Sequence, residues 1–183
     1  MNLSSVFCVL GNMDIQENIV NKVAQSSLLS FDLATLYTPG ERIVYDIKDN
    51  LFHGLMLKEK DFREFLKDND WSVYQNKNVA VICSSDAIVP TWAYMLLVTK
   101  LVPFAANVFF GDVEQMEIYL YNNAIQKLDA EIFKDQKVVI KGCGDIFVPI
   151  AAFVALTAKL TTVVKSIMYG EPCSTVPLFK RKD

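Results

Sequence analysis

Two stretches of the chain carry the same succession of apolar and polar positions. Residues 78–111 (NVAVICSSDAIVPTWAYMLLVTKLVPFAANVFFG) and 137–170 (KVVIKGCGDIFVPIAAFVALTAKLTTVVKSIMYG) align without a gap, Asn78 onto Lys137 and Gly111 onto Gly170. Apolar segments match by chance at Val, Leu and Ala. Here Asp86/Asp145, Pro90/Pro149, Lys100/Lys159 and Gly111/Gly170 also fall in register, which marks an internal repeat. In each copy a short apolar run, 79–82 or 138–140, predicts a buried strand. A polar loop then ends in Val-Pro, where Pro suits the first helical position. An uncharged helix follows over 91–99 or 150–158, and a second apolar run, 108–110 or 167–169, stops at Gly. That is strand–helix–strand, twice.

Apolar spacing elsewhere completes the pattern. Ile15, Ile19, Val20 and Val23 predict an amino-terminal helix with Asp14 as its cap. Residues 28–33 read as a strand. Residues 43–47 and 52–57 read as a hairpin closed across Lys48-Asp49-Asn50. Residues 58–67 form an amphipathic helix with Phe62, Phe65 and Leu66 on one face. Met116, Leu120, Ala124 and Leu128, four apart, predict a helix over 113–128 that links the copies.

The expectation is a single α/β domain over 1–183: a mostly parallel, mixed sheet with helices on both faces. It is built from two βαβ repeats, with an N-terminal helix and a β-hairpin as an extension. Strands 79–82 and 138–141 should be parallel neighbours, in an order such as 2-1-3-4, with a pseudo-twofold between the repeats. The two repeat helices are apolar all round and too short for a bilayer, which needs about 20 residues. They should be covered on both faces, one cover being the amino-terminal segment and the other a second subunit, so a homodimer is expected.

Composition sharpens this. Of 183 residues, 52% are hydrophobic and 21% charged, with 7 Gly and 6 Pro, which suits a chain with a packed core. A net charge of -3 gives no basic field for a nucleic-acid backbone, so no nucleic-acid partner is expected, and no membrane. Lys180-Arg181-Lys182 reads as a solvated end. The apolar run 3–10 has no basic residue before it, so it does not read as a leader. Met1 to Asn12 reads as an extension, with Met13 an alternative start. A cytoplasmic location with reduced thiols is the expectation.

Candidate chemistry gathers after the strands, where parallel sheets bind ligands. Cys83 follows the first repeat's opening strand in Cys83-Ser84-Ser85-Asp86. Cys143 follows the second's in Gly142-Cys143-Gly144-Asp145. Cys173 follows the last strand in Glu171-Pro172-Cys173-Ser174-Thr175. If the opening strands are neighbours, the three thiols converge on one rim with Asp86, Asp145, Ser84, Ser174 and Thr175 around them. Three thiolates suit zinc or an iron–sulfur cluster. A single cysteine at a helix start could instead act as a nucleophile or redox thiol. Cysteines that merely fill gaps above the sheet are the third reading. No Cys-x-x-Cys pair is present in the sequence. His53, the only histidine, reads as half-buried in a strand, which leaves no Ser-His-Asp triad near the cysteines. Trp71 and Trp92 read as core residues.

The segments ENIVNKVAQS, GERIVYDIKD, LKEKDFREFLKDNDWS, SSDAIVPTWAYML, VVIKGCGD and ALTAKL…VVKSIMYGEPCSTVPL resemble a bacterial family of uncharacterised proteins, domain of unknown function 2480. The resemblance runs from about Glu17 to Phe179 and implies no particular activity. Members of that family are often encoded beside iron–sulfur cluster assembly genes. The resemblance therefore implies a metal- or iron–sulfur-binding accessory role with assembly proteins as partners. A thiol-dependent enzyme or a non-catalytic adaptor are the alternatives.

Overall fold

The computed structural model describes residues 28–142, 144–171 and 174–182. The helix expected over 14–23, the extension 1–12, and both Cys143 and Cys173 lie outside the described residues. Strand β1 (Leu28–Asp32) and strand β2 (Arg42–Asp46) come first, followed by α1 (Glu59–Asp68). The first repeat supplies β3 (Asn78–Ile82), α2 (Thr91–Leu101) and β4 (Asn107–Phe110). Helix α3 (Val113–Lys127) leads to the second: β5 (Lys137–Lys141), α4 (Ile150–Leu160) and β6 (Ser166–Glu171). Strand β7 (Ser174–Lys180) follows. Among the described residues no helix is long and apolar enough to cross a membrane.

The protein is α/β with mostly parallel strands, but these form two sheets rather than one. One is β2-β3-β4, parallel throughout; the other is β1-β5-β6-β7, with β7 antiparallel to β6. The expected pairing of 79–82 with 138–141 therefore does not occur. β3 and β5 are inner strands of different sheets, each flanked by a strand from the amino-terminal pair. The hairpin over 43–57 is also absent. β2 pairs parallel with β3, and Asp46 accepts the Lys48 amide to cap a 3-10 turn over Ile47–Asn50. That turn buries Ile47 completely, so the chain leaves the sheet instead of folding back along it. His53 sits exposed in the following turn at φ 51°, not in a strand.

The repeat is longer than the apolar pattern suggests. At the same offset, α1 matches the carboxyl-terminal part of α3: buried Phe62 and Leu66 correspond to buried Tyr121 and Ile125. Asp70 and Asp129 cap equivalent 3-10 turns, at Trp71–Tyr74 and Ala130–Phe133. Asn76 and Asp135 both take left-handed backbone, at φ 59° and 57°, and their amides donate to Phe104 and Val163. A second, shorter duplication relates β1 to β2. Asp32 and Asp46 cap the turns that follow, and Leu33 and Ile47 are fully buried. Register agrees too: Leu28 pairs with Lys137 as Arg42 pairs with Asn78. β1 thus belongs with the second repeat and β2 with the first.

Each half has its own core. Tyr45, Ile47, Phe62, Val79, Leu97 and Leu101 cluster in one; Leu33, Phe133, Ile140, Leu156 and Leu160 are in the other. Helix α3 joins them. Met116 and Leu120 pack on Ala80 and Phe109 of the first sheet, while Tyr121 and Ile125 pack into the second core. Lys159 donates to the Ile125 and Gln126 carbonyls, at 2.7 and 2.8 Å, closing the end of α3 from α4.

The amino-terminal segment expected to cover one face of the repeat helices lies outside the described residues. Ala93, Leu97 and Leu101 are buried, as are Ala152, Leu156 and Leu160, but the opposite faces are open. Leu97→Ala and Leu156→Ala should each lower unfolding free energy by about 2–5 kcal/mol in urea titrations. Because the two leucines lie in separate clusters, the double variant should show nearly the sum.

Candidate functional site

At the carboxyl end of the first sheet, Asp46 organises a polar rim. Its Oδ1 accepts the Lys48 amide at 3.1 Å and the Ser84 amide at 3.0 Å; its Oδ2 accepts the Ser84 hydroxyl at 2.5 Å. Lys48 Nζ lies 3.1 Å from Oδ2 and donates to Ser84 Oγ at 2.9 Å. Ser85 Oγ donates to the Gly54 carbonyl at 3.0 Å, tying the loop after β3 to the turn after β2. Burial pushes the Asp46 carboxyl up, but the Ser84 hydroxyl and amide, with Lys48, outweigh it and hold the carboxyl at about 2.

Cys83 is half-buried beside this network, its thiol donating to the Ser85 carbonyl at 3.4 Å. Burial, then the nearby Cys83 thiol, pushes the Tyr94 hydroxyl up. The repeat places Gly142 where Cys83 stands, so Cys143 corresponds to Ser84 and the two cysteines are one position out of register. A Cβ at Gly142 would lie 2.7 Å from the Phe153 ring, the counterpart of Tyr94. Only the first half has room for a side chain there.

The second sheet's rim is built differently. Lys141 Nζ stands 3.8 Å from Asp32 and 3.9 Å from Glu171, between the ends of β1 and β6. Asp86 and Asp145, equivalent in sequence, are both exposed but face different surroundings. Asp145 lines a cleft of about 360 Å³ with Tyr37, Arg42, Glu117 and Phe147. There Arg42 grips Glu117 through Nε and Nη2, at 2.5 and 3.1 Å, and its guanidinium lies 4.4 Å from the Tyr37 ring centre. The Glu117 hydrogen bond raises Arg42 above its already high ordinary value, so the guanidinium stays charged. Sequence reading missed this pair and Asp46. The Asp32/Asp46 duplication was the one signal for the latter.

Ser174 is exposed next to Glu171 across the β6–β7 hairpin, and Thr175 donates to Met168 Sδ at 3.6 Å. Separate sheets remove the neighbouring-strand premise on which convergence of Cys83 with the other two thiols was expected. Among the described residues, no three His, Cys, Asp or Glu side chains gather as a metal site.

A third feature is apolar and repeated. Ile88 and its counterpart Phe147 are 85% and 64% exposed, Met95 and Val154 are 66% and 64% exposed, and Ile150 is 81% exposed. Ile88 and Phe147 stand in the loops before the repeat helices, and Met95, Ile150 and Val154 on the helices' exposed faces. Such exposure on aliphatic and aromatic side chains is informative in a way that scattered surface leucines are not.

The Asp46 network generates a pH prediction. A carboxylate held near 2 when folded, against about 3.9 when unfolded, contributes stability above pH 4 and loses it as pH falls toward 2. In urea unfolding across that range, Asp46→Asn should remove this component. Ser84→Ala should move the loss to higher pH; a Ser84→Ala profile that superimposes on the wild type would contradict the hydroxyl's role.

No curated protein and no solved structure matches the chain. Residues 17–181 match the family described as "Protein of unknown function (DUF2480)", and the chain belongs to that family.

Proposed function

We propose that the protein is a non-catalytic interaction module, whose working surface is the exposed apolar positions repeated on and just before α2 and α4. The observation that carries this is their occurrence at matched positions in both halves, Ile88 with Phe147 and Met95 with Val154. The residue types differ between the halves while apolar character and exposure do not. No charged residue occurs over 91–99 or 150–158, so the partner is a protein with an apolar, uncharged face.

The test is crosslinking in cells from a photoreactive phenylalanine analogue at position 95, at 154 and, as a control, at the exposed Glu64 of α1. One protein should be captured from 95 and from 154 but not from 64. With the analogue moved to Ile88, Met95→Glu combined with Val154→Glu should abolish capture while shifting stability by no more than about 0.5 kcal/mol. Capture that is equal from Glu64, or that survives the double substitution, would overturn the reading.

A second reading is a zinc or iron–sulfur accessory protein, with Cys143, Cys173 and Cys83 as thiolate ligands in the reduced cytoplasm. One observation favours it: β5 and β6, whose carboxyl ends lead to positions 143 and 173, are neighbours in register. Anaerobic purification with metal and sulfide analysis tests it. Cys143→Ser and Cys173→Ser should each lose the metal, and Cys83→Ser reports whether the other sheet contributes. A colourless, metal-free protein indifferent to zinc and to cluster reconstitution would remove this reading.

A further inference from the structure

The two halves differ most at one sheet edge. In the second half, the outer edge of β6 is covered by β7, paired antiparallel with Tyr169 opposite Val176 and Gly170 opposite Thr175. In the first half, β4 occupies the place of β6, yet among the described residues no strand pairs with its outer edge. A groove of about 620 Å³ lies there instead, walled by the end of β4 and the flank of α3.

The edges also differ in how they are guarded. β7 carries Pro177 and Lys180, and its pairing is broken by an irregularity at Ile167/Met168. Proline, lysine and bulges are the devices that discourage an edge from recruiting another strand. β4 reads Asn-Val-Phe-Phe with none of these, and Phe110 is 66% exposed. The other edge of the same sheet, β2, bears Arg42 and Asp46. β4 is therefore the unguarded edge of its sheet.

We propose that β4 pairs antiparallel with the β4 of a second copy, joining two three-stranded sheets across a two-fold axis. A short strand paired with itself is self-complementary, as an isologous interface requires. The groove suits this occupant because its lining holds aromatic and amide side chains, among them Phe109, Tyr119, Asn122 and Asn123, and no charged residue. Two copies can meet there without bringing like charges together. Phe110 of each would be buried at the junction.

Sedimentation of the full chain over a wide concentration range tests this, with hydrogen exchange of the Val108 and Phe110 amides, which point away from β3, at both ends of that range. The expected result is a dimer that dissociates on dilution, with these two amides protected only in the dimer. Phe110→Asp should yield monomer at concentrations where the wild type is dimeric. Asn123→Arg, on the helix wall, should do the same if the strand variant fails to fold. Met95→Glu should leave the dimer intact, which separates this interface from the exposed apolar positions of α2 and α4. A monomer at every concentration, or a dimer indifferent to both substitutions, overturns the proposal. So does protection of these two amides that persists in the monomer, since another segment of the chain would then hold the edge.

Discussion

Helix α3 must bury two faces against two different sheets, and the architecture follows from that requirement. Met116 and Leu120 need the first sheet's Ala80 and Phe109, while Tyr121 and Ile125 need the second core. A helix of 15 residues makes about four turns, so the change of face occurs within one helix, not at a joint. The capping box at Asp112 and Gln115 fixes where that helix starts, and Lys159 fixes where it ends. Arg42 and Glu117 add a bidentate contact between β2 and the same helix, with both side chains largely shielded. Removing one partner would leave the other charged and poorly solvated, the costly way to break such a pair.

Interleaving at the amino terminus strengthens this junction. β1 joins the second half and β2 the first, so the chain crosses between sheets before either sheet is complete. Each inner strand, β3 or β5, therefore depends on a strand distant in sequence. Such pairings close long loops, which slows folding more than it lowers stability.

The repeats, the strand–helix–strand grammar and the helices were legible because apolar periodicity is strong across them. The division into two sheets was not, because it depends on β1 and β2. Their duplication is short and nearly without identity: Asp32 and Asp46 match, Phe31 and Tyr45 are merely similar. β7 escaped notice because Pro177 argues against a strand except at an edge, which is where it lies. The cysteine positions were legible as strand ends, but which strands are neighbours was not, and convergence depends on that. Asp46 carries no motif; its role follows from Ser84 arriving across the sheet.

Comparison of the two halves separates what packing demands from what it leaves free. Buried positions match closely in kind: Phe62 with Tyr121, Leu66 with Ile125, Leu97 with Leu156. Rim positions do not. Cys83 faces Tyr94 in one half, where Gly142 admits the Phe153 ring in the other, and Ser84 has its Asp46 network where the second half sets Lys141 between Asp32 and Glu171. Rim chemistry is thus asymmetric, and a site using it would occur once. Ile88/Phe147 and Met95/Val154, on and just before α2 and α4, behave like buried positions, apolar in both halves, yet they are exposed and no core requires it of them. Exposed apolar side chains gain nothing from water. Their matched occurrence on two frames with different rims is what directs attention to the surface of these helices.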